Sequence, residues 1–415
     1  MARTLRLAVA IMTVAAVAGA EEWPAWRGPR GDGTSAETGV PTSWSAAENI
    51  AWKVPIPGKG HSSPIVWGDR VFVTTCLEGE KKRMLLCLDR RGGKLLWDRV
   101  VVTAPLEKKH DLNSYASSTP ATDGERVYVS FLEAPHIRMA AYDMDGREVW
   151  RRSPGEFQSM HGFCSSLILY KDMVILNGDQ DAKDAKAFIV ALDRATGGER
   201  WRADRPNRIR SYSPPLVAEA AGKAQMVLSG SKCVASYDPN TGKPIWIVDG
   251  PTEQFVASMV FTDGLFCITG GYPSLHILGI RPDGEGNVTG SHVAWHVRKN
   301  PSYVPSPIAA GKWFFVVSDA GTLSCIEART GEYVWQQPIA RHVSPSPISA
   351  AGNLYFLDDD GTTTLVKAGP AFELVAKNAL GEPCRASPAV SRGQIFIRTA
   401  SHLYCIGAAA KGQGK

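Results

Sequence analysis

Seven residues with ligand-binding side chains stand just ahead of short Ser/Thr/Pro clusters: His61, Tyr115, His161, Tyr212, Tyr303, His342 and Arg385. Brought together, such imidazole, phenol and guanidinium groups would hold an anionic or aromatic ligand, since they combine hydrogen-bond donors, a fixed positive charge and flat apolar faces. The same groups could instead satisfy one another and bound water. Covalent and metal chemistry is poorly provided for. There is no G-x-S-x-G elbow and no H-E-x-x-H helix. The stretch GDQDAKDAK clusters Asp179, Asp181 and Asp184, but a calcium loop begun at Asp179 needs Gly at its sixth position and Glu at its twelfth, where Asp184 and Val190 stand. A solvated hairpin turn is the expectation there, as for Asp358-Asp359-Asp360-Gly361. No catalytic residue and no metal ligand is assigned.

The eight cysteines include no adjacent pair and no C-x-x-C, so neither a zinc knuckle nor a redox motif is supported. Cys87, Cys325 and Cys405 recur in one context, LLCLD, LSCIE and LYCIG, at the slot Ala191 takes in VALD. A slot shared by Cys and Ala reads as a small buried packing position.

That recurrence belongs to a larger one. The phrase VALDRATGGERW (residues 190–201) returns as CLDRRGGKLLW, SYDPNTGKPIW and CIEARTGEYVW. Trp52, Trp97, Trp150, Trp201, Trp246, Trp295 and Trp335 follow at intervals of 45, 53, 51, 45, 49 and 40 residues, a period in the propeller range. Eight Ser/Thr/Pro clusters (HSSPIV, SSTPAT, CSSLIL, YSPPLV, VASMVF, VPSPIA, SPSPIS and RASPAV) each open an apolar run, and between them lie short alternating segments such as RVYVSF and WFFVVS. Helical periodicity is nearly absent.

A unit of four short antiparallel strands cannot bury both faces alone, so the units must stack, and a ring of them leaves no long exposed edge. The expectation is an all-β, eight-bladed β-propeller of four-stranded antiparallel blades. Within each blade the Ser/Pro cluster opens inner strand A. An acid (Asp89, Asp143, Asp193, Asp238 or Glu327) ends strand C, a Gly (Gly92, Gly146, Gly197, Gly242 or Gly331) takes the turn, and the Trp begins outer strand D, where it fills the wedge against the next blade. Blade eight runs out of chain after three strands, while IAWKVPI (residues 50–56) looks like a strand D without a blade. The N-terminal strand should therefore complete the last blade. Blades five and seven are irregular: one carries the insertion RPDGEGNVTGSHVAW, the other lacks its Trp.

The pattern A-x-D-x-x-T-G-x-x-x-W, matched by Ala191, Asp193, Thr196, Gly197 and Trp201, resembles the repeat of pyrroloquinoline-quinone (PQQ)-binding-like propeller proteins over about residues 50 to 407. The leader WPAWRGPRGDGTS is similar to the entry segment of a secreted bacterial subset. The resemblance implies one of two functions. A non-catalytic scaffold, as in the propeller subunit of the outer-membrane β-barrel assembly machinery, would bind an envelope protein or small ligand through its loops and need no cofactor. A quinoprotein dehydrogenase oxidising alcohols or sugars would need PQQ and Ca²⁺. The alcohol dehydrogenases of that kind also carry an adjacent Cys-Cys pair and are substantially longer, and this chain has no such pair, so the scaffold is preferred.

Domain expectations follow: a signal peptide (1–20) with Arg3 and Arg6 before an uncharged stretch and Ala18-Gly19-Ala20 as cleavage site, an arm (21–49) with Trp23, Trp26 and Trp44 packed along the ring, the propeller (50–407), and a flexible tail (408–415). Such a leader, with no Cys after the site, implies a periplasmic or secreted monomer without a transmembrane segment. A formal charge of +5 with no basic run beyond Lys81-Lys82-Arg83 argues against nucleic acid as partner.

Overall fold

The computed structural model describes residues 20–182, 186–207 and 209–408, so the expected signal peptide and tail fall almost wholly outside it. Eight antiparallel sheets follow one another along the chain. Blade one runs from inner strand A (Ile65–Trp67) through strands B (Arg70–Leu77) and C (Lys82–Asp89) to outer strand D (Leu95–Thr103). The inner strands of blades two to seven are Ala121–Thr122, Ile168–Tyr170, Leu216–Ala220, Val260–Thr262, Ile308–Ala310 and Ile348–Ala350. Blade eight has Ala389–Ser391, Gln394–Arg398 and His402–Ile406, and its strand D is Ile50–Pro55, paired antiparallel with Trp52 opposite Cys405. The ring is closed by the N-terminal strand, as expected. Among the described residues the one helical element is a single turn at Glu78–Glu80. The insertion in blade five has a use that its sequence does not disclose: Gly286–Asn287 adds a fifth, parallel strand to the outer edge of blade four.

Apolar side chains do not gather at one centre. They form clusters that each bridge neighbouring blades, such as Phe72, Cys87, Val127 and Tyr142 between blades one and two. The repeated Trp organises these seams. In strand pairing it lies opposite a small residue of strand C: Cys87, Ala141, Ala191, Ser236, Gly279, Cys325 or Cys405. A β-carbon on Gly279 would fall 2.4 Å from Trp295 Nε1, which shows why the slot stays small. Burial pushes the Cys87, Cys325 and Cys405 thiols up to about 12, so they serve as small apolar groups.

The indole then reaches the next blade. Trp52, Trp97, Trp150, Trp201, Trp295 and Trp335 donate to the carbonyls of Arg90, Met144, Arg194, Pro239, Ala328 and Gly369, at 2.7 to 3.3 Å. Five of these rings cover the turn glycine of that blade, so closely that a β-carbon on Gly93, Gly146, Gly197, Gly242 or Gly331 would approach within 2.5 to 2.8 Å. These glycines have φ between 70° and 78°. In blade one the position is Gly93 rather than the expected Gly92, because the turn is counted back four residues from Trp97. Trp246 differs, since the insertion replaces the turn it would have met. Its indole donates to Gln225 Oε1 (2.8 Å), and the Gln225 amide reaches on to the Pro282 carbonyl (2.9 Å).

Blade seven inverts the pair: Leu365 stands in the small slot and Ala376 in place of the Trp. The arm supplies the missing ring. Trp44 is buried and stacks on Tyr355 of strand B (6.4 Å, 9°), its backbone N–H donates to Asn378 Oδ1, and the Asn378 amide donates to the Thr42 carbonyl. The added strand is also pinned by charge, through Lys53 and Glu382 at 2.7 Å. Burial alone would raise the Glu382 pKa, but bonds from Lys53, Thr399, Tyr404 and His402 outweigh it and hold the carboxyl down to about 2.

Two substitutions test this account by urea denaturation. Gly279→Ala is expected to lower stability by about 1–3 kcal/mol through overpacking against Trp295. Trp44→Ala should cost about 3–5 kcal/mol, and removal of residues 21–56 should abolish cooperative unfolding. An unchanged midpoint in the truncated chain would refute ring closure by the N-terminal strand.

Candidate functional site

The inner strands converge on a channel whose mouth opens as a cavity of about 530 Å³. Because strand residues alternate in direction, positions two apart share a face, and each blade presents two residues to the channel. The first, two before the cluster Ser or its equivalent, is His61, Ser117, Cys164, Tyr212, Val256, Val304, Ser344 and Arg385 in blade order, and all eight line the cavity. The second is Ser63, Thr119, Ser166, Pro214, Ser258, Ser306, Ser346 and Ser387.

This second tier is a hydrogen-bonded ring. The N–H of Ser63 donates to Thr119 Oγ1, Thr119 to Ser166, Ser258 to Ser306, Ser306 to Ser346, Ser346 to Ser387, and Ser387 back to Ser63, all at 2.9 to 3.0 Å. The two absent links both fall at Pro214, which has neither N–H nor hydroxyl. Ser258 Oγ is accordingly buried without a partner.

The far end of the channel is covered by the arm. Trp23 pairs with Val66, Thr122 donates to the Pro24 carbonyl, Ser349 to that of Gly33, and Ser391 Oγ to that of Glu21. These partners sit at the ends of inner strands opposite the mouth, so Trp26, which lines the cavity, closes it from below. The arm does pack along the ring, and in addition one of its rings enters the channel. Beneath it, Arg27 is buried, with its guanidinium carbon 5.9 Å from the Trp26 ring, and bonds to the carbonyls of Asp32 and Pro307. Burial holds its pKa down to about 10, against the opposing charge of Asp32.

Of the seven residues singled out in the sequence, five line the cavity: His61, His161, Tyr212, Tyr303 and Arg385. Tyr115 and His342 do not. Tyr115 lies two residues before the lining Ser117 and its ring faces Arg83 and Lys109, while His342, two before Ser344, is exposed. Counting two residues back from each cluster serine would have found the lining set, Ser117, Cys164 and Ser344 included. His110, Asn113, Arg210 and Gln254, which also line the cavity, sit in loops outside that count.

Most of the wall's polar groups are held in place. Tyr212 hydroxyl meets Ser159 Oγ at 2.6 Å, Tyr303 hydroxyl accepts from Gln254, Arg210 pairs with Asp181 and Arg385 with Asp359, each at 2.9 Å. Burial raises the pKa of both tyrosines. Arg398 differs. It is fully buried behind His61, donates to Ser62 and to the Thr74 carbonyl, and has no carboxylate against it, so burial alone brings it down to about 9. Burial, then the charges of Arg398 and Arg385, push His61 down to about 4.

The GDQDAKDAK hairpin corrects an expectation. Asp179 is not solvated but fully buried, with Arg205 Nε at 2.9 Å and Nη2 at 3.2 Å, because the arginine at the end of strand D folds back beneath it. Asp181 pairs with Arg210, and Asp184 lies outside the described residues. The Asp358 stretch is a turn as expected, its first carboxylate capping the N–H groups of Asp360 and Thr362, but it is not solvated throughout, since Asp359 is largely buried against Arg385 and Ser344.

The sequence matches the PQQ_2 family, described as outer membrane protein assembly factor BamB, in overlapping stretches 37–153, 81–259, 185–304 and 234–368. The chain belongs to this family. It is 27% identical over 166 residues to the BamB of Alkalilimnicola ehrlichii, a match covering 38% of this chain and 36% of that relative. The propeller is similar to the crystal structure of BamB from Moraxella catarrhalis (12% identity, TM-score 0.60, covering 88% of this chain and 98% of that one). It is also similar to quinohemoprotein alcohol dehydrogenase from Comamonas testosteroni (12%, TM-score 0.62, covering 95% and 82%). At such identities the structural likeness establishes the fold alone.

The dehydrogenase fold implies PQQ with a calcium ion, which takes six to eight oxygen ligands, carboxylates foremost. Among the described residues no Asp or Glu lines this cavity, and no three His, Cys, Asp or Glu are placed to hold a metal. The residues present do not fit a calcium-bound quinone.

The electrostatics give a pH test. The folded-state pKa of His61, about 4, lies below its ordinary 6.5, so the unfolded chain binds the extra proton between those values. His61 should thus contribute a loss of stability as pH falls from about 6.5 through 4, and none above. His61→Asn should flatten that part of a denaturation-versus-pH curve, and an NMR titration placing the imidazole near 6.5 would contradict the burial.

Proposed function

We propose that this chain is an exported, non-catalytic β-propeller that acts as a binding scaffold in the bacterial envelope, in the process its family is named for, outer membrane protein assembly. Its partners are envelope proteins engaged through the loops around the channel mouth. Family membership over residues 37–368 supports the protein-binding reading. The observation that carries the non-catalytic part is the lining of the cavity: hydroxyls, imidazoles, phenols and guanidiniums, with no carboxylate among its described residues; behind the wall Asp181 and Asp359 pair with Arg210 and Arg385, and Asp319 accepts the N–H groups of Tyr303 and Val304. A calcium ion to activate a quinone would call for carboxylate ligands in that wall. Among the described residues no helix is long and apolar enough to cross a membrane.

Two measurements test the proposal. Purified chain mixed with PQQ and Ca²⁺ is expected to give no saturable change in quinone absorbance and no dye-coupled oxidation of alcohols or sugars; turnover would overturn the scaffold reading. Affinity capture from the native envelope is expected to recover barrel-assembly proteins, and their absence with folded bait would remove the assembly role.

A further inference from the structure

We propose that the channel mouth is a binding site for a small organic carboxylate whose apolar body rests on the rim. This goes beyond the scaffold reading and does not depend on it, because the cavity is complete within one chain.

Six of the seven hydroxyl oxygens in the second tier, all but Ser258, accept a backbone N–H from the preceding blade, and among the described residues none of the six donates to a protein acceptor. Five of these hydroxyls line the cavity. The backbone bond fixes each oxygen, so its O–H proton turns toward the space the ring encloses. A carboxylate accepts about four hydrogen bonds and matches such a convergent set.

The charge selects a monoanion. Arg210 and Arg385 are each neutralised by an aspartate behind them, and Arg27 has Asp32 close by. Arg398, directly behind the wall, is buried and among the described residues forms no ion pair with a carboxylate. A buried cation without a counter-charge is costly, and one negative charge in the adjoining cavity offsets it. The pKa of His61 is lowered first by burial and then by the charges of Arg398 and Arg385, which both lie on this side of the channel. Among the described residues no cavity-lining side chain is acidic; the carboxylate of Asp319 lies behind the wall, where it accepts the N–H groups of Tyr303 and Val304.

The rim supplies the rest. Leu112, Met160 and Tyr272 line the mouth yet are 48, 52 and 54% exposed, and they come from three separate connections. Large apolar side chains left at the lip of a polar cavity suit a ligand with one charged end and one apolar end. A volume of about 530 Å³ is within the range of small-molecule sites.

The test is calorimetric titration of the purified chain with 3-phenylpropionate, its uncharged amide 3-phenylpropionamide, and inorganic phosphate. Saturable one-to-one binding of phenylpropionate is expected, with the amide and phosphate each about tenfold weaker or more, since a hydrogen-bonded charge and a buried apolar body each contribute at least that factor. Arg398→Met would be the direct variant but threatens the fold, so the wall is probed with Arg385→Gln, which leaves Asp359 unneutralised beside the cavity, and the rim with Leu112→Ser/Met160→Ser. Both should weaken phenylpropionate about tenfold while unfolding remains cooperative, Arg385→Gln at a somewhat lower midpoint because Asp359 loses its partner. Absence of saturable heat at millimolar phenylpropionate, equal affinity for the amide, phosphate binding as tight as phenylpropionate, or unaltered affinity in both folded variants would each overturn the proposal.

Discussion

A four-stranded blade is one sheet thick, so both of its faces need a neighbour, and the whole molecule depends on how one blade meets the next. The joint is an indole set across a small strand-C residue of its own sheet and laid against the following turn, which it hydrogen-bonds. Where the turn glycine is present, it takes a positive φ and carries no side chain, and the ring fills that vacancy. The irregular seams show how strong the requirement is. The insertion removes one turn, and Gln225 extends Trp246 to the next blade. Blade seven lacks its Trp, and the arm places Trp44 in the gap.

Closure imposes the geometry of the channel. Once eight inner strands stand around one axis, whatever residue type occupies the cluster position meets seven equivalents, and serine there makes a circle of N–H to hydroxyl bonds. Pro214 interrupts it, at the cost of one buried hydroxyl without a partner. With the arm drawn across the opposite end, the cavity is reached from the mouth. The same segment thus completes the last blade, replaces a missing ring and floors the site.

Buried charge is distributed unevenly in this frame. Asp179 and Arg205 are wholly enclosed and answer each other, and Arg83 with Glu107 does the same. Such pairs offset much of their desolvation by mutual attraction. Arg398 has only hydroxyl and carbonyl oxygens around it. Of the arginines at the channel mouth, Arg210 and Arg385 are therefore offset by aspartates, while Arg398 behind them is not.

Much of this was legible in the residues alone. A Trp every 40 to 53 positions, eight Ser/Thr/Pro clusters and a strand without a blade near the start determine an eight-bladed ring and its closure, because local periodicity and turn chemistry recur from unit to unit. The small slot at Cys87, Cys325 and Cys405 was legible for the same reason. The site was legible only in part. His61, Tyr212 and Arg385 stand in register with the cluster serine, whereas Tyr115 and His342 are equally suited by type and are set aside by loop geometry. The partners of Asp179, the lone charge of Arg398, the stacking of Trp44 on Tyr355 and the entry of Trp26 into the channel were decided by tertiary structure. Each joins residues distant in the chain or leaves one without a counterpart, and no local pattern specifies what a side chain meets once the ring has closed.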